Sequence, residues 1–520
     1  MTRTTLARAG FTVFAAFLAS RILGWVRVVV LGNLFTTDEL GPFYAAFRIP
    51  DLIYQLVAAG ALGSALIPVL SGLLANGEHA RAWRVASVVM NVVLLVLAAF
   101  AAVMFLFAPE IVPVLVAGWD AEATARTVEL TRLMLLSPIF LALGAVASAI
   151  LNAENRFAAS ALAPVAYNAA IIVVAIALAP VVGIVAAAIG VVVGSVLHFG
   201  VQVPALRRRF HWTPRIRSGD PAAREALTLM VPRAIGLGAS QITFIVNTTL
   251  ATAITVIGLG PNGPVAVYNI AFNVLQIPLG IVAVPVGMVL LPSLSRARSG
   301  DDASGFAAMV GQSVRLLLWM TIFLAAVGIV LRAPSVEVLF PTFDPAEIDA
   351  TAATLAVFLL GLPAHAMNVI LARGFYAGRD TRTPVVVAIG SVFVNIVVSL
   401  LTWDVLGLQG LALGIALGGW FEAIVLLVLL RRVVPSFTLR PMLRAVTFLG
   451  GALIASLVAA LVAEAMNAAD PLPSGWLGAL LQVTVAALAA GLVYLLYSRL
   501  VRIPELPRAL GLIRSAISRG

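Results

Sequence analysis

Every basic residue in this chain is an arginine, and the arginines fall in alternate gaps between long apolar stretches. The stretches lie at 6–31, 38–75, 82–108, 126–152, 159–179, 182–205, 226–256, 264–295, 307–331, 348–377, 384–403, 408–430, 441–466 and 476–499. Each comes near or exceeds the ~20 residues that cross a bilayer, so fourteen membrane helices are expected. The N-terminus, 76–84, 153–158, 206–225, 296–306, 373–383, 431–444 and the C-terminal tail hold 25 of the 33 arginines. The opposite gaps hold only Arg126 and Arg332 and are rich in acid, for example Asp38, Glu110, Asp120, Glu337 and Asp344. Arginine excess marks the cytoplasmic side, which places both termini inside.

A 62% hydrophobic, 11% charged composition belongs to a membrane chain, and no soluble domain is visible. The first segment is expected to act as an uncleaved first helix rather than a signal peptide. Without cysteine the chain has no disulfide, thiolate metal site or thiol catalysis. Without lysine it has no GxxxxGK[ST] phosphate loop, so no ATP motor is encoded. The formal charge of +10 is explained by a face against anionic lipid, not by nucleic acid. Arg207-Arg208-Arg209 is read as part of that face. The four histidines lack metal-ligand spacing, and His365 is read as a satisfied packing histidine. No metal or cofactor is expected.

An internal repeat organises the chain. Ala46-Phe47-Arg48-Ile49 returns as Ala271-Phe272-Asn273-Val274 at an offset of 225, and Leu66-Ile67-Pro68-Val69-Leu70-Ser71 as Leu290-Leu291-Pro292-Ser293-Leu294-Ser295 at 224. LNAENRF (151–157) leading to Asn168 is echoed by GFYAGRDTRTP (374–384) leading to Asn395. An offset of six spans preserves orientation, so the halves are parallel repeats. The expected fold is all-α and polytopic. Residues 1–205 form an N-terminal lobe, 206–225 a cytoplasmic linker, 226–432 a C-terminal lobe, and 433–520 two extra helices with a basic tail. Transporters of this design hold substrate between lobes, and Pro50, Pro68, Pro278, Pro285 and Pro292 suit helices that kink during gating.

Six arginines fall within membrane segments, where a charge costs about 2.5–3.5 kcal/mol on insertion scales. Arg21 lies about 22 Å along the first helix, Arg27 lies beyond it, and Arg48 is on the second helix with Asp51 one turn later. Three guanidinium groups against one carboxylate suit an anionic headgroup, since guanidinium binds phosphate bidentately. Glu129 is expected to pair with Arg132, Arg233 and Arg315 to reach the cytoplasmic interface, and Glu422 to pair with a distant arginine. Asn247, Asn269, Asn273 and Asn395 suit hydrogen bonds between helices.

ASRILGWVR (19–27), AAFRIPDL (45–52), LNAENRF with Pro164 and Asn168, MVLLPSLS (288–295) and GFYAGRDTRTP (374–384) together resemble the MurJ/MviN family of lipid II flippases. That family sits in the multidrug/oligosaccharidyl-lipid/polysaccharide exporter superfamily. The resemblance runs the length of the chain. It implies a fourteen-helix fold in the bacterial cytoplasmic membrane and movement of undecaprenyl-pyrophosphate-linked peptidoglycan precursor from the inner to the outer leaflet. The last two helices would then shape a groove for the lipid tail. Arg21 and Arg27 match the two arginines of the family's first helix, and Arg48 stands where relatives often have Lys or Arg. Asn273 stands where many relatives carry arginine. The expected substrate-binding set is therefore Arg21, Arg27, Arg48, Asp51 and Asn273. Expected partners are a lipid II-like anionic substrate, membrane lipids and cell-wall synthesis proteins. The residues alone leave open an exporter of another polyprenyl-linked glycan or amphiphile, and a non-transporting cell-wall scaffold.

Overall fold

A computed structural model describes residues 3–57, 61–207, 210–217, 219–299, 302–437, 443–468 and 475–517, and among them there is no strand. Among the described residues, twelve helices are long and apolar enough to cross a membrane. The two remaining expected spans are also helical. One is described as Thr37–Val57, with Pro42 and Pro50 inside it, and Ala61–Ala75, with Pro68 inside it. The other, Pro221–Thr252, is long but carries more polar residues. The chain divides into two compact units, Met1–Thr255 with Leu259–Ala266, and Val256–Gly258 with Val267–Gly520.

The first unit contains α1 (Arg3–Leu34), α2 (Thr37–Val57), α3 (Ala61–Ala75), α4 (His79–Leu106), α5 (Ala108–Leu115), α6 (Ala121–Met134), α7 (Ser137–Ala153), α8 (Phe157–Val182), α9 (Val185–Gly200), α10 (Val203–Arg207) and α11 (Pro221–Thr252). Helices α8 and α9 lie close because α9 offers glycines. A methyl group on Gly194 would stand 2.8 Å from the carbonyl oxygen of Tyr167, and one on Gly190 would stand 3.1 Å from the backbone of Ile171. Small residues four apart let backbones approach, which is how helices associate where water does not drive them together. Residues 212–215 and Asp220 are stitched to the first half of α4. Asn91 donates to the carbonyls of Thr213 and Arg215, both at 2.8 Å, and accepts from the Trp212 indole at 2.8 Å. Arg81 grips Asp220 with two hydrogen bonds of 2.7 and 2.9 Å. Asp220 also caps α11 through the amide of Ala222.

The second unit holds most of α12 (Gly263–Pro278), a π-helical turn at Leu279–Ala283, α13 (Val284–Ser299), α14 (Ala303–Val330), α15 (Arg332–Leu339), α16 (Pro345–Ala377), α17 (Arg382–Leu406), α18 (Leu408–Val433), α19 (Ala445–Ala468), α20 (Trp476–Leu500) and α21 (Glu505–Ile517). Its core joins α14 and α20 by stacked rings. Tyr494 lies between Trp319 (5.5 Å) and Phe323 (4.7 Å), its hydroxyl donates to the Trp319 carbonyl, and the Trp319 indole donates to Ser498.

The repeat extends from sequence echoes to helix register. Helices α4, α5 and α6 begin 224 residues before α14, α15 and α16. The N-caps Asp120 and Asp344 share that offset, as do Gly183 and Gly407, which follow α8 and α17 with φ of +56° and +57°. A side chain resists that backbone conformation, so glycine is required at both turns. Gly414 and Gly418 on α18 repeat Gly190 and Gly194, and a methyl group on either would come within 2.8 Å of α17.

Candidate functional site

Arg27 on α1 and Arg48 on α2 meet one polar cluster inside the first unit. Arg48 Nε donates to Thr248 Oγ1 at 2.9 Å, and its guanidinium stands 5.1 Å from the centre of the Phe244 ring, both on α11. The Arg27 guanidinium lies 6.0 Å from the Tyr167 ring centre on α8 and shares a side-chain hydrogen bond with that tyrosine. Tyr44, one turn before Arg48, buries its hydroxyl within electrostatic reach of both arginines. Asp51 is within the same reach of both. It accepts from Gln55 at 3.5 Å and is bonded to Gln241, and it forms no ion pair with Arg48. Aromatic faces and hydroxyl groups thus orient the guanidinium groups, and neutral amides hold Asp51.

Arg21 is exposed and keeps to its own helix, 5.5 Å from the Phe17 ring. Among the described residues no carboxylate lies within ion-pair distance of Arg21 or Arg27. Asn273 belongs to the second unit, where its amide donates to the carbonyl of Asn269 at 2.7 Å, a bond within its own helix and not between helices. Asn395 is also not bonded between helices. It is buried against Gly414 and Gly418, and its amide finds no partner among the described residues.

Tyr44, Gln241, Phe244 and Thr248 escape the sequence reading because their partners are remote in the chain or lack charge. Tyr167 had a signal, since it stands inside the Pro164–Asn168 motif.

Other intramembrane charges correct their expected partners. Glu129 pairs with Arg126 at 2.6 Å and not with Arg132, whose Nε donates to the Phe105 carbonyl at 3.0 Å. Arg315 has a partner that the sequence reading did not name. Its Nε bonds Glu505 of the tail at 3.0 Å, with side chains 12% and 0% exposed, and Arg508 joins the same carboxylate. Glu422 has no arginine within ion-pair distance among the described residues. His365 packs against Gly361 and Gly419 as expected, yet its Nε2 is buried with no hydrogen-bond partner among the described residues. The side chain of Arg233, and Arg208 and Arg209 of the basic run, lie outside the described residues.

The cluster thus brings two guanidinium groups, Arg27 of α1 and Arg48 of α2, around Tyr44 and Asp51, and guanidinium is the side chain best suited to bidentate contact with an anion. A family profile described as lipid II flippase MurJ matches residues 30–471. The chain belongs to the MurJ family. The lipid II flippase MurJ of Burkholderia cenocepacia is 30% identical over 439 residues, covering 82% of this chain and 84% of that protein. The probable lipid II flippase MurJ of Rhizobium tropici is 32% identical over 447 residues, covering 82% and 81%. Among solved structures, an inward closed lipid II flippase MurJ superposes with a TM-score of 0.79 at 23% identity, covering 94% of this chain and 98% of that one. An inward-facing multidrug resistance MATE family transporter of the MOP superfamily gives 0.68 at 16% identity, covering 82% and 98%. These two likenesses show the fold alone. Within the MurJ family, this member is a multi-span membrane protein whose charged cluster sits in its first unit.

Proposed function

We propose that this protein moves lipid II, the undecaprenyl-pyrophosphate-linked peptidoglycan precursor, from the inner to the outer leaflet of the bacterial cytoplasmic membrane by alternating access. Membership of the MurJ family supports the substrate. The observation that carries the mechanism is the pair Arg27 and Arg48, which share one neighbourhood with a single carboxylate and no ion pair to it. In this reading Arg27 and Arg48 take the pyrophosphate, with Tyr167 and Thr248 holding their guanidinium planes in place. Arg21, exposed on α1, meets the headgroup first. Asp51 limits the dwell of the anion by like-charge repulsion. Asn273 supplies a neutral amide from the second unit, and α19 and α20 offer the flank for the polyprenyl tail. An excess of cationic groups disfavours a cationic drug as cargo.

Complementation is the direct test. The chain should restore growth to a bacterium depleted of its own lipid II flippase, and Arg27→Ala should fail to do so at equal membrane abundance. Growth restored equally by both would remove Arg27 from the proposal, and no restoration by the parent chain would remove lipid II.

The arginine alternation supports termini and segment 210–217 on the cytoplasmic side. The chain has no native cysteine, so single cysteines introduced there should stay unlabelled by an impermeant thiol reagent in intact cells. One placed at Glu110 should be labelled.

A further inference from the structure

We propose that the flank of the first unit between α4 and the α6–α7 junction is a binding site for an anionic phospholipid, with the lipid phosphate on Arg132 and an acyl chain in the groove beneath it. A cavity of about 590 Å³ opens there, lined by Ala98, Ala102, Phe105, Leu136 and Ile139 among other apolar side chains, and Arg132 is the one charged group in the lining. That volume falls in the range of small-molecule sites.

The guanidinium is presented to the groove. Its Nε is tied to the Phe105 carbonyl at 3.0 Å and its plane lies 5.0 Å from the Phe105 ring centre. Glu129, the nearest carboxylate in sequence, is taken by Arg126. The terminal nitrogens of Arg132 therefore have no acceptor among the described residues, while a fixed Nε aims them. An arginine held in this way matches a phosphate oxygen pair.

Depth agrees with a headgroup. Arg132 precedes the end of α6–α7 at Ala153 by 21 residues, and Phe105 follows Arg84 on α4 by the same 21. At 1.5 Å per residue both distances are about 32 Å, close to the hydrocarbon thickness. On the orientation proposed above, Arg132 sits at the outer headgroup boundary and the groove extends from it into the acyl region. The site is separate from the Arg27–Arg48 cluster and does not depend on what the protein transports.

Native mass spectrometry of the purified full chain, with added dioleoyl phosphatidylglycerol or dioleoyl phosphatidylcholine, tests the site. One phosphatidylglycerol should be retained in preference to phosphatidylcholine. Arg132→Gln should weaken retention about tenfold, the scale of one charge-assisted contact. Ala102→Trp, which fills the groove and leaves the charge, should weaken it comparably, and it decides the matter if Arg132→Gln does not fold. Equal retention of both lipids, retention untouched by the variants, or displacement of phosphatidylglycerol by an equal amount of undecaprenyl phosphate would each overturn the proposal. Absence of flipping by the parent chain, with retention intact, would count against the transport reading and leave this one standing.

Discussion

The two units share one helical register and differ in what they place on it. Asn91 and Arg315 stand at equivalent positions on α4 and α14, 224 residues apart, and each ties down a segment remote in the chain. In the first unit Asn91 binds 212–215 through neutral hydrogen bonds. In the second Arg315 binds the tail through the buried carboxylate of Glu505. Arg48 and Asn273 also correspond, at an offset of 225. The first reaches across to α11 with a charge, and the second turns an amide back onto its own helix. Duplication thus preserves caps, glycine contacts and turns, which packing demands, while the charged chemistry diverges.

The sharpest way to break this comparison is to give the first unit the residue of the second. Arg48→Asn should abolish complementation, because the cluster loses a charge and the link to Thr248. Activity near the parental level would show that the two positions are equivalent after all. The next contrast is between the two ties. Glu505→Ala leaves Arg315 buried without its partner, a situation that costs about 3–5 kcal/mol. Asn91→Ala removes neutral bonds and should cost about 1–3 kcal/mol. Thermal unfolding of the two variants in detergent should rank them in that order, and the reverse ranking would mean that the buried pair is idle.

Moving charge the other way gives a smaller effect. Asn273→Arg should tighten binding of a pyrophosphate-lipid analogue by about threefold to tenfold, since charge-assisted hydrogen bonds are roughly twice as strong as neutral ones. Titration at fixed salt checks it, and an unchanged affinity would take position 273 out of headgroup binding.

The smallest effect concerns Asp220 outside the membrane. Its hydrogen bonds with Arg81 hold its carboxyl below the ordinary value of 3.8. A lowered folded-state value contributes stability above about pH 4 that is lost as pH falls through the folded value. Protease nicking at 210–217 should therefore rise modestly below pH 4, and Asp220→Asn should nick at the same rate across that range.

Much of this was legible in the sequence because lipid imposes simple rules. Apolar length and arginine placement mark out the helices, and the echoes at 224 and 225 anticipate the repeated register. The site was legible only on its charged side. Arg27, Arg48 and Asp51 advertise themselves by the cost of burial, whereas Thr248 lies 200 positions from Arg48 and is an ordinary polar residue of a helix. Glu129 shows a different limit. It lies one turn from both Arg126 and Arg132, and helix geometry alone cannot choose between them. The decision is made by Phe105 on α4, which occupies Arg132. Glu505 was hidden because a basic tail reads as surface charge, and only folding brings its carboxylate into the interior beside α14.

The π turn at Leu279–Ala283 has a consequence for the helix on either side of it. Such a turn holds one more residue than the α-helical turn it replaces, and one residue corresponds to about 100° of rotation. The faces of α12 and α13 are therefore set out of phase, so the direction in which Asn273 points no longer fixes the direction of Gly287. The second unit thus carries, beyond the helix that bears Asn273, a phase offset that separates the facing of one end from that of the other.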